Sequence, residues 1–444
     1  MNKETTTTSH TAPSQERKHT AGAAKKIWYR LDLSAIVYPT LQRRDFSSVY
    51  RLSVVLKEPI RPDILQQAVD ASLVRFPTYK TAIRKGLFWR YLEPNKRPGP
   101  FVREDIRNFC MPMPFKAGNR YLIRIYYYNC RISLEAHHSL GDGSGGMYVL
   151  QTITAEYLRL LGHQIDCGYF VKDIHETPPA EEFEDAYMRY ANSKLCPKRT
   201  GAKAYRVRGT KEPFYTFHVI DGIMSVSEVM KVAKSYQASL TEYLNAVLLY
   251  ALLQKQKDDH PLHLKPVKIA MPVNLRRFFP SKTLRNFITM IYPGVDPRLG
   301  EYSFDEIVSQ VHHYMRYYIN EKFLRDITTN ANTKRNPLIR ITPLFIKDYV
   351  VKQFYSRIQD KSSSAGLTNM GAIRVPENME PYIDRMDIYM GQPFSSRTNC
   401  AIVSFEDTLT INFASCIVEA DVERYFFRKL VQDGIHVKIE SNRF

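Results

Sequence analysis

Along Arg131-Ile132-Ser133-Leu134-Glu135-Ala136-His137-His138 apolar and polar residues alternate with period two, the pattern of a half-buried strand. On that reading Ile132, Leu134, Ala136 and His138 share the interior face, and Arg131, Ser133, Glu135 and His137 the polar one. A glycine turn, Gly141-Asp142-Gly143, comes next. From about Ser144 to Leu161 the spacing of Met147, Leu150, Ile153, Tyr157, Leu158 and Leu161 predicts a helix, ended by Gly162. Upstream, periodicity predicts a strand in 47–56, an amphipathic helix in 61–77, a strand in 87–94 and a hairpin pairing Tyr121–Tyr128 with Arg131–His138. Downstream it predicts a start near 212–220, then a helix in 239–256 opened by Ser239 and Glu242 at capping-box spacing. A strand in 267–275, helices in 304–321 and 343–359, a hairpin in 398–415 and a last helix, Val422–Gln432, complete the series. The expected fold is α/β of the α+β type: two layers, each a mostly antiparallel sheet with helices on one face.

The chain has 444 residues, enough for two domains of roughly 200 residues each. Residues 1–26, rich in Thr, Ser, Ala and Lys without periodicity, read as a disordered tail. Proline and clustered charge mark 176–213 as a linker region, leaving 27–175 and 214–444 as the two subdomains. No apolar run reaches the roughly 18 residues of a transmembrane segment, and the N-terminus lacks the apolar core of a secretory signal. Six cysteines lie far apart with no CxxC pair, so reduced thiols in a cytoplasmic protein are expected. The net charge of +18 would suit nucleic acid, an anionic membrane surface or a phosphate-bearing cofactor. The basic residues are dispersed in short groups, with no helix-turn-helix or zinc-finger spacing, so nucleic acid is not expected as a partner.

The chemistry concentrates in Glu135–Gly146, EAHHSLGDGSGG. A zinc site would recruit His137, His138 and Asp142, but adjacent strand residues point oppositely and make poor co-ligands, so no metal is expected. A phosphate cradle at the helix start would want a following Gly-Lys-Ser/Thr, which is missing. A general base asks for a neutral imidazole on a rigid strand end, glycines that admit a substrate, and a carboxylate that orders the loop. All three are present. The alternative for Asp142 is a plain N-cap of the helix.

His137-His138-Ser139-Leu140-Gly141-Asp142-Gly143 resembles the HHxxxDG motif of the CoA-dependent acyltransferase superfamily, which includes chloramphenicol acetyltransferase and nonribosomal peptide condensation domains. Three later stretches fall in the matching order: MPVNLRRFFPSKTLRNF (271–287), GLTNMGAI (366–373) and CAIVSFEDTLTINFAS (400–415). The resemblance covers about 27–440 and is nearest to bacterial alcohol-acetyltransferase-like proteins. It implies two chloramphenicol-acetyltransferase-like subdomains packed in a V, with a channel between them. By the same resemblance His138 would be the general base, acting without a covalent acyl-enzyme. Asp142 would be held by a salt bridge to an arginine such as Arg276. Thr368 would stabilise the oxyanion, unless it is an ordinary loop threonine. His137, Gly143, Arg276, Asn286 and Asn369 would support the site. The plant-type DFGWG element is not present; MGQPFSSR (390–397) stands near its place.

The reaction so implied moves an acyl group, acetyl by preference, from acyl-CoA to the hydroxyl or amine of a small-molecule acceptor, with no tightly bound cofactor. Two alternatives stand beside it. One is a free-standing condensation-type enzyme whose acyl donor is bound to a carrier protein. The other is a catalytically idle binding module of the same fold, which the intact His138 and Asp142 disfavour.

Overall fold

The computed structural model describes residues 28–43, 46–116, 118–191, 202–259, 262–328, 336–357, 362–391 and 397–443, so the expected tail at 1–26 lies outside the described residues, as does part of the expected linker. Its strands are numbered in chain order. A small antiparallel sheet, ordered β1-β4-β3, is formed by β1 (Tyr29–Arg30), β3 (Thr81–Lys85) and β4 (Arg90–Pro94). A five-stranded sheet, ordered β13-β2-β7-β6-β5, contains β2 (Val49–Leu56), β5 (Val102–Glu104), β6 (Ile123–Tyr128), β7 (Arg131–His137) and β13 (Ile383–Met390). Only its β5–β6 pair is parallel.

The largest sheet runs β10-β9-β12-β14-β15-β8-β16, with β11 also paired to β9. Its strands are β8 (His218–Ser225), β9 (Val267–Asn274), β10 (Ile288–Ile291), β11 (Gly294–Val295), β12 (Ala365–Ile373), β14 (Thr398–Phe405), β15 (Thr408–Ser415) and β16 (Lys438–Ser441). Here β12 is parallel to both neighbours and the other pairs are antiparallel. Both large sheets are therefore mostly antiparallel, as the periodicity predicts.

Each of the two large sheets has its own core. Helices Pro62–Ser72 and Gly143–Leu160 cover the five-stranded sheet, burying Leu65, Val69, Leu150 and Ile153 against Leu52, Val54 and Leu134. Helix Leu240–Asp259 is buried on nearly every side beneath the larger sheet, which suits a sequence with almost no polar stripe from Tyr243 to Leu253. Its N-terminus has the capping box: Ser239 N donates to Glu242 Oε2 at 2.8 Å, and Glu242 N donates to Ser239 Oγ at 3.3 Å.

Two features join the halves. Strand β13 comes from the second half of the chain yet extends the first sheet, pairing Met386 with Val54 and Ile388 with Leu52. Ala401, Val403 and Phe405 of β14 also belong to the first core, so the larger sheet packs its inner face on the smaller one's side chains.

The half-buried reading of β7 needs correction. Because β7 is central in its sheet, Ser133, Glu135 and His137 are as buried as Ile132, Leu134 and Ala136. The face expected to be wet is a sealed polar layer. Arg51 Nη2 donates to Glu135 Oε1 at 2.9 Å and Arg51 Nη1 to Asp105 Oδ2 at 2.7 Å, while Cys110 N donates to Glu135 Oε1 at 2.6 Å. Alternation locates the faces of a strand; it does not tell water from a buried ion-pair layer.

Candidate active site

Strand β7 ends at His137, and the chain turns through His138, Ser139 and Leu140 before helix Gly143–Leu160 begins. The two histidines do point into different surroundings. His137 is fully buried: its Nδ1 accepts from Ser139 N at 3.1 Å, leaving Nε2 to donate to Gln42 Oε1 at 3.2 Å. The edge of its ring meets Phe115. Burial, with His138 alongside, pushes its imidazole down to about 3.

His138 is held by its backbone and by two aromatic rings. Its N–H donates to Ser48 O at 2.8 Å, and its carbonyl accepts from Asn286 Nδ2 at 2.8 Å. Tyr38 stacks on the imidazole with centroids 4.8 Å apart, and Tyr50 tilts against it at 4.7 Å. Nδ1 is buried with no hydrogen bond of normal geometry. Burial pushes the imidazole down to about 4, against the opposing pull of the Asp142 carboxylate, the Gly141 backbone and the Asn286 side chain. The ring is neutral near pH 7.

Asp142 ties the turn to the second half of the chain. Its Oδ1 accepts from Gly145 N at 3.2 Å as an N-cap; its Oδ2 accepts from Arg276 Nη1 at 2.8 Å and from Phe287 N at 2.9 Å. Arg276 in turn donates to the carbonyls of Thr283 and Arg285. The glycines make the approach possible. A Cβ on Gly145 would lie 2.0 Å from Leu284 O, and one on Gly141 would lie 2.3 Å from the same atom. The Gly-rich turn is thus a seat for the backbone at Leu284. Gly143 is the first residue of the helix, and a Cβ there would come within 3.0 Å of Met370 Sδ.

Asn286, fully buried, bridges the site to a residue that local sequence reading missed: its Nδ2 donates to Asp32 Oδ2 at 2.9 Å as well as to His138 O. Asp32 accepts also from Ala35 N at 2.7 Å, and burial pushes its carboxyl up against the opposing effect of Arg285. Thr368 lies on β12 opposite Ala401, whereas Leu367 lies opposite Cys400. Leu367 and Cys400 belong to the second core and Ala401 to the first, so the Thr368 side chain is on the face turned toward the motif. Asn369 is held the other way, donating from Nδ2 to Thr241 Oγ1 at 2.9 Å and accepting from Gly371 N at 2.7 Å.

The structure therefore brings His138, Asp142, Arg276 and Asn286 into one hydrogen-bonded group, sets Thr368 on the strand beside it, and keeps Asn369 in the wall. Tyr38, Tyr50 and Asp32 are additions. For the two tyrosines the sequence signal is no more than an abundance of tyrosine, 29 in the chain, and Asp32 has none. Among the described residues no group of three or more His, Cys, Asp or Glu side chains is placed to hold a metal ion.

No protein-family profile matches the chain, and no curated protein matches it by sequence. Solved structures do. Trichothecene 15-O-acetyltransferase TRI3 from Fusarium sporotrichioides superposes with a TM-score of 0.60 at 13% identity, covering 94% of this chain and 96% of its own. TRI101 from F. graminearum, solved in complex with coenzyme A and T-2 mycotoxin, gives 0.59 at 11% identity over 94% of this chain and 100% of its own. The condensation domain of the Monacolin K polyketide synthase MokA gives 0.54 at 12% identity over 92% and 96%. The chain has the CoA-dependent acyltransferase/condensation fold.

Proposed function

We propose that this protein is an acyltransferase that moves an acyl group, acetyl by preference, from acyl-CoA to the hydroxyl or amine of a small-molecule acceptor. One observation carries the reading: His138 is packed against the rings of Tyr38 and Tyr50 just past the end of β7, uncharged near neutrality, with Nδ1 buried. A general base needs a fixed ring that is neutral at the working pH, and the packing and burial of His138 favour both.

In the proposed reaction Nε2 of His138 takes the acceptor's proton as the acceptor oxygen or nitrogen bonds to the thioester carbonyl carbon. The carbonyl oxygen becomes an oxyanion, for which the Thr368 hydroxyl is the candidate donor. Collapse breaks the carbon–sulfur bond, and the departing CoA thiolate recovers the proton from the imidazolium. Tyr38 and Tyr50 keep the ring in place; Asp142 acts at a distance, by holding the turn. A condensation-type reaction on a carrier-bound acyl group is the second reading, favoured by the likeness to the MokA domain.

Incubation with acetyl-CoA and a panel of alcohols and amines, read as thiol release, tests the proposal. Acceptor-dependent release supports it. Release only from an acyl group presented on a carrier protein supports the second reading, and release from neither donor refutes both.

A further inference from the structure

Helix Leu344–Arg357 is anchored through two charged side chains that point inward. Asp348 is ion-paired with Arg90 at 2.6 Å and accepts from the Thr40 hydroxyl at 2.9 Å, and Lys347 Nζ donates to Phe88 O at 2.8 Å. Leu344 N donates to Leu87 O at 2.8 Å. The helix also packs against the short helix Tyr38–Leu41, whose Tyr38 ring stacks on His138.

Large apolar side chains, with the exposed Lys352 among them, line the outward side of this helix. Phe345, Ile346, Tyr349, Val350 and Phe354 share it by helical spacing, and all are exposed, Phe345 by 72% and Tyr349 by 65%. An ordinary surface helix keeps side chains of this size turned to the core. Helix Pro337–Ile341 adds Leu338, 71% exposed, and the turn between β3 and β4 that holds Leu344 adds Leu87, 69% exposed, and Trp89. So large a set of exposed side chains marks an interaction site.

Charge identifies the occupant. From 336 to 357 the sequence contains Arg340, Lys347, Lys352 and Arg357 against a single acid, Asp348, which Arg90 already neutralises. Arg340 and Lys352 are exposed beside the apolar stripe, on a chain of net charge +18. Aromatic and aliphatic side chains bordered by cations suit an anionic bilayer surface, where the apolar groups enter the acyl boundary and the cations meet phosphates. Among the described residues no helix is long and apolar enough to cross a membrane, so the contact is with the surface.

We propose that this face docks on anionic lipid membranes. It follows, as the one clause that rests on the acyl-transfer reading, that the acceptor class includes amphiphilic alcohols or amines dissolved in that surface, one helix away from Tyr38 and His138.

Co-sedimentation with vesicles of equimolar phosphatidylglycerol and phosphatidylcholine, compared with phosphatidylcholine alone, tests the docking. The full-length protein is expected to sediment with the anionic vesicles. Phe345→Asp/Tyr349→Asp should bind at least about tenfold more weakly, with unchanged melting because both side chains are exposed. His138→Ala should bind like wild type, so docking is judged independently of catalysis. With 1-dodecanol in the same vesicles, thiol release from acetyl-CoA should fall in the double variant, while release with soluble butanol should not. Absence of wild-type sedimentation, or equal sedimentation of the double variant, overturns the proposal. A wild-type dimer that the double variant dissolves also overturns it, assigning the face to a second copy. Equal loss with both alcohols removes the acceptor clause alone.

Discussion

Arg276 Nη1 donates to Asp142 Oδ2 at 2.8 Å, joining residues 134 positions apart in the sequence. The other carboxylate oxygen of Asp142 caps the helix at Gly145 N, so anchoring and capping, alternatives in the sequence, are two duties of one side chain. Neither oxygen has a hydrogen bond to the His138 ring among the contacts of the described residues. The arginine uses its remaining donors on the carbonyls of Thr283 and Arg285 and on Asn274, which fixes the 283–287 segment against the motif.

Asp142→Asn is therefore expected to weaken the fold as well as the reaction. Removing one partner from a buried pair typically costs about 3–5 kcal/mol, because the other charge stays buried. Denaturant melts should show losses in that range for Asp142→Asn and for Arg276→Ala, with the double variant less than additive. An Asp142→Asn protein as stable as wild type but inactive would make Asp142 a direct partner of the imidazole.

Gly145→Ala should reverse the usual preference for alanine in a helix. Propensity alone would gain about 1 kcal/mol. The added Cβ would meet a backbone oxygen, Leu284 O, at 2.0 Å, and no rotamer change can relieve that. A loss of at least about 3 kcal/mol is expected, the upper end for overpacking. Gly162→Ala, with φ +99° and nothing within 4 Å, should cost only the left-handed backbone penalty of about 1–2 kcal/mol. Equal losses at the two positions would contradict the seat made for Leu284.

His137 should make stability fall with acid. Its folded value, about 3, lies below the ordinary 6.5, so the unfolded chain takes up the proton first as pH drops. Stability present above pH 6.5 is lost progressively down to about pH 3, amounting to about 2 kcal/mol at pH 5. Comparing wild type with His137→Gln at pH 7 and pH 5 isolates this contribution. The variant should lose less on acidification; equal losses would show that His137 is not held neutral.

The motif was legible because its signals are local, whereas Arg276 and Asn286 were reached only through the family resemblance. Strand alternation, the glycine turn and the helical spacing after it all lie within 131–162, and the observed helix, Gly143–Leu160, differs from the expected one by a single residue at each end. Strand β13 was not legible: its sequence, IDRMDIYM, makes sense only beside β2, more than 300 residues earlier. The sealed polar layer around Glu135 escaped for the same reason, since Arg51 and Asp105 come from elsewhere in the chain. The rings around His138 also arrive from distant positions, Tyr38 and Tyr50, and no local pattern distinguishes them from the other tyrosines.

The most direct test of the central claim is the rate of thiol release from acetyl-CoA by His138→Ala relative to wild type, with an acceptor that the panel identifies. A positioned general base is worth about two to four orders of magnitude, and that loss is expected with an unchanged melting temperature. With the imidazole held down to about 4, the wild-type rate should also stay level as pH falls from 8 through 6. A His138→Ala protein that folds normally and retains the wild-type rate would contradict the account.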